Sequence, residues 1–278
     1  MFFMDNDVSF QIDLQQIIQS KAPGAAQKLP GFAFRWFEKL LCLDKINAFL
    51  RYNRDASGVD CMNNAFEYFH QHLIVHGEEN IPDFDRKCIF VSNHPLGGMD
   101  GICLSSYLGN RYDKKIKYLV NDILYFIRPL QSIFIPINKH GAQSRNTAIA
   151  MNEAFASENQ IITFPAGLNS RKMNGVIMDP PWKKMFIVKS VEYQRDIVPV
   201  FFDAVNSNLF YNTAIWRNKL NIKFNIEMLL LPREMVKKEN ASYHIYFGKP
   251  IPWQTFDESK SSREWAEYVK QIVYETIR

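Results

Sequence analysis

Phe90-Val91-Ser92-Asn93-His94-Pro95-Leu96-Gly97-Gly98-Met99-Asp100-Gly101 reads as a buried strand running straight into a histidine, a glycine turn and the start of a helix. The apolar run Lys87–Ser92 has no helical spacing, and the proline and two glycines that follow end it. Ligands of α/β sheets gather where strand ends open into helix N-termini. Imidazole is a natural base near neutral pH, and a carboxylate holding one ring nitrogen fixes the tautomer of the other. His94 and Asp100 are therefore the candidate catalytic pair. Asn93, Gly97 and Gly98 are candidate substrate contacts, since glycine lets backbone approach a bound group and its N–H groups suit a developing oxyanion. Taken alone, a histidine before a proline also fits an ordinary turn.

Outward from this stretch, short apolar runs alternate with helical ones. Predicted strands are Leu73–His76, Lys87–Ser92, Ile116–Val120, Ile133–Ile137, Gln160–Phe164, Ile197–Phe202 and Ser242–Phe247. Predicted helices cover Met99–Asn110, Gln143–Ser157, Lys183–Tyr193 and Ser261–Ile277. The alternation predicts an α/β fold, a mixed, largely parallel sheet flanked by helices. Residues 1–72 read instead as a helical N-terminal region ahead of an α/β domain at 73–278. Phe10, Leu14, Ile17 and Ile18 form one stripe, and short helices are predicted around Asp44–Arg51 and Val59–His70. Phe32–Leu43 is an aromatic helix with two readings: docked on the catalytic domain, or lying in a membrane interface with Phe34 and Phe37 among the rings facing lipid.

Composition narrows the function. The chain has 278 residues, 47% of them apolar and 22% charged, an ordinary globular balance. Its 33 basic and 29 acidic residues leave a net charge of +4, too mild for nucleic acid without a basic run. Such a balance suits weak attraction to anionic lipid. The 22 phenylalanines fit a Phe-rich core or partial insertion at a bilayer surface. No stretch approaches 18 uninterrupted apolar residues, so contact with a membrane is predicted to be peripheral. Cys42, Cys61, Cys88 and Cys103 form no Cys-x-x-Cys pair and read as reduced cytosolic thiols. His70, His72 and His76 lack ligand-spaced partners, so no metal site is expected. The absence of a Gly-x-x-x-x-Gly-Lys run disfavours nucleotide hydrolysis.

Asn93-His94, the small-residue turn and Asp100 together resemble the first motif of the glycerolipid acyltransferase family, usually His-x4-Asp. The spacing here is His-x5-Asp, as in the branch written His-Pro-x-Gly-x-x-Asp-Gly, which includes hemolysin-like and aminolipid acyltransferases. Three further blocks follow in the family's order. Gln131–Lys139 resembles the second, a strand ending in a cation; Phe164-Pro165-Ala166-Gly167-Leu168-Asn169-Ser170-Arg171 resembles the third, Phe-Pro-Glu-Gly-Thr-Arg-Ser; Ile197-Val198-Pro199-Val200 resembles the fourth. Asn206–Tyr211 and Leu230–Glu234 also resemble stretches of the hemolysin-like branch. The likeness covers roughly residues 73–252. Two positions depart from it: the third-block Glu is Ala166, and the second-block Arg is Lys139.

The resemblance implies direct O-acyl transfer, with His94 as general base and Asp100 orienting it. The donor is an acyl thioester of acyl carrier protein or coenzyme A, and no cofactor is held permanently. It further implies that Lys139, Arg145, Gly167, Ser170, Arg171 and Lys172 contact the acceptor. A lysophospholipid such as lysophosphatidic acid is the first acceptor implied. A lyso-aminolipid of the glycine- or ornithine-lipid type is the second, favoured by the missing Glu. The alternative from another class is a membrane-binding, hemolysin-like protein without turnover, which would need no base. The expected location is cytoplasmic, peripheral on the inner face of the cell membrane.

Overall fold

The computed structural model describes residues 13–21, 30–121, 127–137, 143–223 and 225–276. The seven predicted strands all form, as β1 (His72–His76), β2 (Cys88–Ser92), β3 (Ile116–Asn121), β4 (Phe134–Ile137), β5 (Gln160–Thr163), β8 (Asp196–Asp203) and β9 (Ser242–Phe247). They make one sheet in the order β1-β9-β8-β2-β5-β3-β4. Neighbours pair in parallel except β8 and β9, so the sheet is mixed and largely parallel. A separate antiparallel hairpin, β6 (Arg171–Met173) and β7 (Val176–Met178), rises from the third block and was not predicted.

Successive side chains of a strand face opposite sides, and two cores result. On one face, Cys88 and Phe90 of β2 and Val198, Val200 and Phe202 of β8 belong to a cluster with α3 (Leu43–Tyr52), α4 (Gly58–Tyr68) and α5 (Met99–Arg111). On the other, Ile89, Val91, Ile197 and Phe201 belong to a cluster with α6 (Gln143–Ala156), α7 (Met185–Tyr193) and α10 (Ser262–Gln271). A sheet covered on both faces explains the near-continuous apolar strands. The helices at 43–68 thus share the sheet's own core. A third cluster joins Leu14 of α1 (Leu14–Lys21) to Leu41, Leu43 and to Phe210 and Tyr211 of α8 (Asn208–Lys219). Phe10 of the predicted N-terminal stripe lies outside the described residues.

Two expectations need correction. The helix predicted over Phe32–Leu43 is α2 (Gly31–Leu40), and a left-handed Cys42 (φ 55°) then starts α3 as a separate helix. Of the two readings, Phe34, only 8% exposed, and Phe37, packed against the third cluster, fit the docked one, while Phe32 and Trp36 are 69% and 60% exposed. With aromatic residues spread over more than half of the helix surface, periodicity alone could not say which of them turn inward. Further on, α8 and α9 (Leu231–Lys237) were not predicted.

Arg195 shows how the C-terminal end of α6 is closed. The side chain is fully buried, with Nε donating to Phe155 O at 2.7 Å, Nη1 to Asn159 O at 2.8 Å and Nη2 to Ser157 O. Burial pulls its pKa down to about 10, which still leaves it a cation at neutral pH. Orphan carbonyls and the negative end of the helix dipole account for a buried cation here. Arg195→Met should cost about 2–4 kcal/mol, taking three carbonyls at about 1 kcal/mol or more each. Denaturant unfolding checks this, and an unchanged midpoint would show that these bonds contribute nothing net.

Candidate active site

The site forms where β2 ends. Pro95 stops the strand, and Gly97 adopts φ +85°, a region closed to most side chains. A Cβ at Gly97 would also lie 2.2 Å from Asn169 Nδ2 and 2.9 Å from Leu231 Cδ1, so glycine is needed for space as well as for its backbone. This turn folds back over Asp100 in the first turn of α5, where the helix N-terminus favours negative charge.

Asp100 is fully buried and collects four hydrogen bonds. Its Oδ2 accepts from His94 Nδ1 at 3.0 Å, Leu96 N at 2.9 Å and Gly97 N at 3.1 Å, and its Oδ1 accepts from Gly101 N at 2.8 Å. The Gly97 N–H is therefore committed to Asp100 and not to an oxyanion. Because Nδ1 carries the bonded hydrogen, the lone pair of the neutral ring sits on Nε2. The His94 side chain is 15% exposed, and its ring stacks on Phe164 at 4.2 Å between centroids. Burial lowers the imidazole pKa, but the Asp100 charge and hydrogen bond, with Asp179 adding to them, outweigh it and leave the net shift upward. Such a group can take a proton at Nε2 while its other nitrogen stays fixed.

The remaining predicted contacts divide. Asn93 is a brace: its Nδ2 donates to Phe202 O at 3.0 Å and its Oδ1 accepts from Phe202 N at 2.7 Å, locking β2 to β8. Its amide is thereby spent on the backbone, and it leaves the list of substrate contacts. Ser170 is buried, donating from N to His94 O at 2.8 Å and from Oγ to Asp179 Oδ1 at 2.6 Å. Arg171 pairs with the fully buried Glu227 at 2.9 Å, which Arg217 meets from its other oxygen at 2.9 Å. Arg171 also lies over the Phe210 ring. Two guanidiniums thus share one carboxylate inside the protein. Gly167 (φ +64°) makes the third-block turn, with Lys183 Nζ so near that a Cβ would lie 2.4 Å from it. Arg145 and Lys172 are exposed, on α6 and β6, and Gly98 precedes α5 as its N-cap. Lys139 lies outside the described residues.

Three site residues escaped the sequence reading. Asp179 meets His94 through the backbone, Lys183 adjoins Gly167, and Asn169 is fully buried beside Gly97 with neither side-chain amide atom hydrogen-bonded. Asn169 had a signal, since it stands where the third block carries Arg. Asp179 had none, lying far along the chain in an irregular segment. Two more residues hold the turn from outside: Asn206 Nδ2 donates to Pro95 O at 3.0 Å, and Glu234 accepts from the N–H and hydroxyl of Ser207, the N-cap of α8. Among the described residues no three His, Cys, Asp or Glu side chains group as metal ligands.

Known proteins resemble this chain over nearly its whole length. A lyso-glycine lipid O-acyltransferase of Bacteroides thetaiotaomicron is 47% identical over 271 residues, covering 98% of this chain and 99% of that one. A protein of the same name from Phocaeicola vulgatus is 44% identical over 271 residues, covering 98% and 97%. Among solved structures, the 1-acyl-sn-glycerophosphate acyltransferase PlsC of Thermotoga maritima aligns over 76% of this chain and 73% of its own, at 18% identity and a TM-score of 0.46. The sequence model of the family described as acyltransferase matches residues 16–277. Because that match covers residues 16–277, nearly the whole chain, this chain belongs to the acyltransferase family.

Proposed function

We propose that this chain moves a fatty acyl group from an acyl thioester to the hydroxyl of a lyso-aminolipid of the glycine-lipid type, a hydroxy-fatty acid amide-linked to an amino acid. The observation that carries this reading is the pair of relatives, 47% and 44% identical over 98% of the chain, that bear the lyso-glycine lipid O-acyltransferase name. His94 Nε2 takes the proton of the acceptor hydroxyl as its oxygen attacks the thioester carbonyl. The tetrahedral intermediate then expels the thiol, which recovers that proton from the imidazolium. Asp100 holds the ring and stabilises its charged form, as the acid of a triad does. The donor thiol is that of acyl carrier protein or coenzyme A.

The third block supports a weakly charged acceptor. Ala166 belongs to the apolar cluster under the sheet where the related pattern has Glu, and Asn169 puts a neutral amide where it has Arg. In the third block, Arg171 is held against the buried Glu227, which limits its reach towards an acceptor phosphate.

The protein reaches its acceptor as a peripheral visitor at the inner face of the membrane. Among the described residues no helix is long and apolar enough to cross a bilayer. Phe32 and Trp36 instead face outward beside exposed Arg35 and Lys39 on α2, a combination suited to the headgroup boundary.

Four results test this reading. Purified protein given lyso-glycine lipid and lysophosphatidic acid should ester-link acyl chains to the first at least about tenfold faster in kcat/KM, a difference of about 1.4 kcal/mol. Equal or reversed preference would overturn the acceptor. His94→Ala should abolish transfer with the fold kept. A base works only unprotonated, so activity is lost as pH falls through the raised His94 pKa, and the acid limb should stand above the ordinary histidine value of about 6.5. A limb below that value would contradict the environment of the ring. Finally, Phe32→Ser with Trp36→Ser should end sedimentation with anionic vesicles at an unchanged melting temperature, since burying each ring contributes on the order of 1.5–3 kcal/mol. Wild-type sedimentation would remove α2 from the membrane contact.

A further inference from the structure

Asp179 is a second buried carboxylate at the site, and the direct transfer chemistry gives it no part. It follows β7 and is fully buried. The His94 N–H points between its two oxygens, at 3.2 Å from each. Ser170 Oγ donates to Oδ1 at 2.6 Å and Trp182 Nε1 to Oδ2 at 2.9 Å. Burial pushes the Asp179 pKa up, while the His94 N–H, the Ser170 hydroxyl and the Trp182 indole all donate to its oxygens and favour the carboxylate anion. Ser170 N in turn donates to His94 O at 2.8 Å. The result is a closed ring. Asp179 holds the N–H side of the His94 residue, Ser170 holds its carbonyl, and Ser170 is tied back to Asp179.

The ring is anchored from a distance. Tyr274 OH bonds the Asp179 N–H at 2.9 Å, and Lys270 Nζ donates to the Asp179 carbonyl at 3.0 Å. Both come from the C-terminal helical segment, Lys270 on α10 and Tyr274 on the π-helical turn Ile272–Thr276. The last helix therefore bears on the histidine through one residue.

We propose that Asp179 is a positioning residue for the acyl transfer, holding the His94 main chain so that the imidazole stays on Asp100 and favouring the imidazolium that forms when the acceptor proton is taken. The proposal rests on the reading of His94 as base. Asp100 aligns the ring from the side chain, while Asp179 aligns the same residue from the backbone. The charged groups facing His94 are Asp100 from α5, Asp179 from the segment after β7 and Arg171 from β6. The titratable groups facing Asp179 are His94, the Tyr274 hydroxyl at its N–H and, through its carbonyl, Lys270. Asp179 is the nearer of the two acids to the His94 peptide and Asp100 the nearer to its ring, so removing either charge acts on the same imidazolium through a different attachment.

Asp179→Asn tests this in the full-length protein, with melting temperature, kcat, both KM values and the pH profile measured together. The amide can accept one bond but turns an N–H towards a donor, loosening the clamp without emptying the site. The expected kcat loss is about tenfold to a hundredfold, a part of the ~10²–10⁴ that a positioned base supplies, with KM for acceptor and thioester within about twofold. Losing a negative charge near the imidazolium lowers the His94 pKa, so the acid limb should move to lower pH. A merely structural role would reduce the active fraction equally at every pH and leave the limb in place, and that outcome overturns the proposal. Wild-type kcat in a folded Asp179→Asn protein also overturns it. Should that variant fail to fold, Trp182→Phe removes one tether and keeps the charge: kcat should fall with the limb unmoved, and wild-type kcat there overturns the proposal. Turnover retained in His94→Ala would instead sink the base assignment itself, which separates the two failures.

Discussion

The site depends on one carboxylate oxygen. Asp100 Oδ2 accepts from His94 Nδ1, Leu96 N and Gly97 N, three groups from a stretch of four residues. A buried carboxylate is costly to desolvate, and hydrogen bonds at nearly every lone pair are what offset that cost. The bonds also shape the chain. For Leu96 N and Gly97 N to point at the same oxygen, the backbone must reverse within the turn, which the positive φ of Gly97 permits. Acid, glycine turn and base are thus one object, and none of them keeps its geometry without the others.

The sheet supplies the rigidity this object lacks. β2 lies between β5 and β8, hydrogen-bonded on both edges. Where β2 ends, Asn93 extends the pairing by one residue with a side chain in place of backbone, exchanging two hydrogen bonds with Phe202. The strand therefore stays straight up to the residue before His94 and then turns sharply. Phe164, just past the end of β5, covers the imidazole and leans on Tyr118 of β3 at 5.3 Å. An imidazole wedged between a fixed strand end and an aromatic ring has few rotamers open to it, which is how preorganisation is built into a fold.

Much of this was legible in the sequence because it is written locally. Strands covered on both faces are unbroken apolar runs, so all seven were visible. His94, Gly97 and Asp100 lie within seven residues of one another, so their bond could be anticipated from spacing and residue type. What was not legible is carried by distant pairings. Arg171 looks like a free headgroup cation until Glu227, 56 residues on, is found beside it. Asp179 sits in an irregular stretch 85 residues from His94 and makes contact with backbone, which no residue-type motif records. Asn93 beside a histidine suggests a substrate contact, and only the β2–β8 pairing reveals the brace. α8 escaped because it is apolar on two sides, burying Phe210, Tyr211 and Ala214 while leaving Leu209 and Trp216 exposed, which erases the periodic signal.

The charge pattern around the turn bears on how a neutral amide could work there. Glu227 is shared by Arg171 and Arg217, so the trio keeps one net positive charge, and burial draws the Arg171 pKa down. Within the third block, Ala166 stands where the related pattern has an acid and Asn169 where it has a cation, so these two changes cancel in charge. A site changed in this paired way keeps its electrostatic balance near His94, which matters because the imidazolium formed during proton transfer responds to every nearby charge. Changing the Arg alone would leave an unmatched carboxylate in the site and push the base further towards its protonated form. Changing the Glu alone would leave a bare cation opposing the imidazolium.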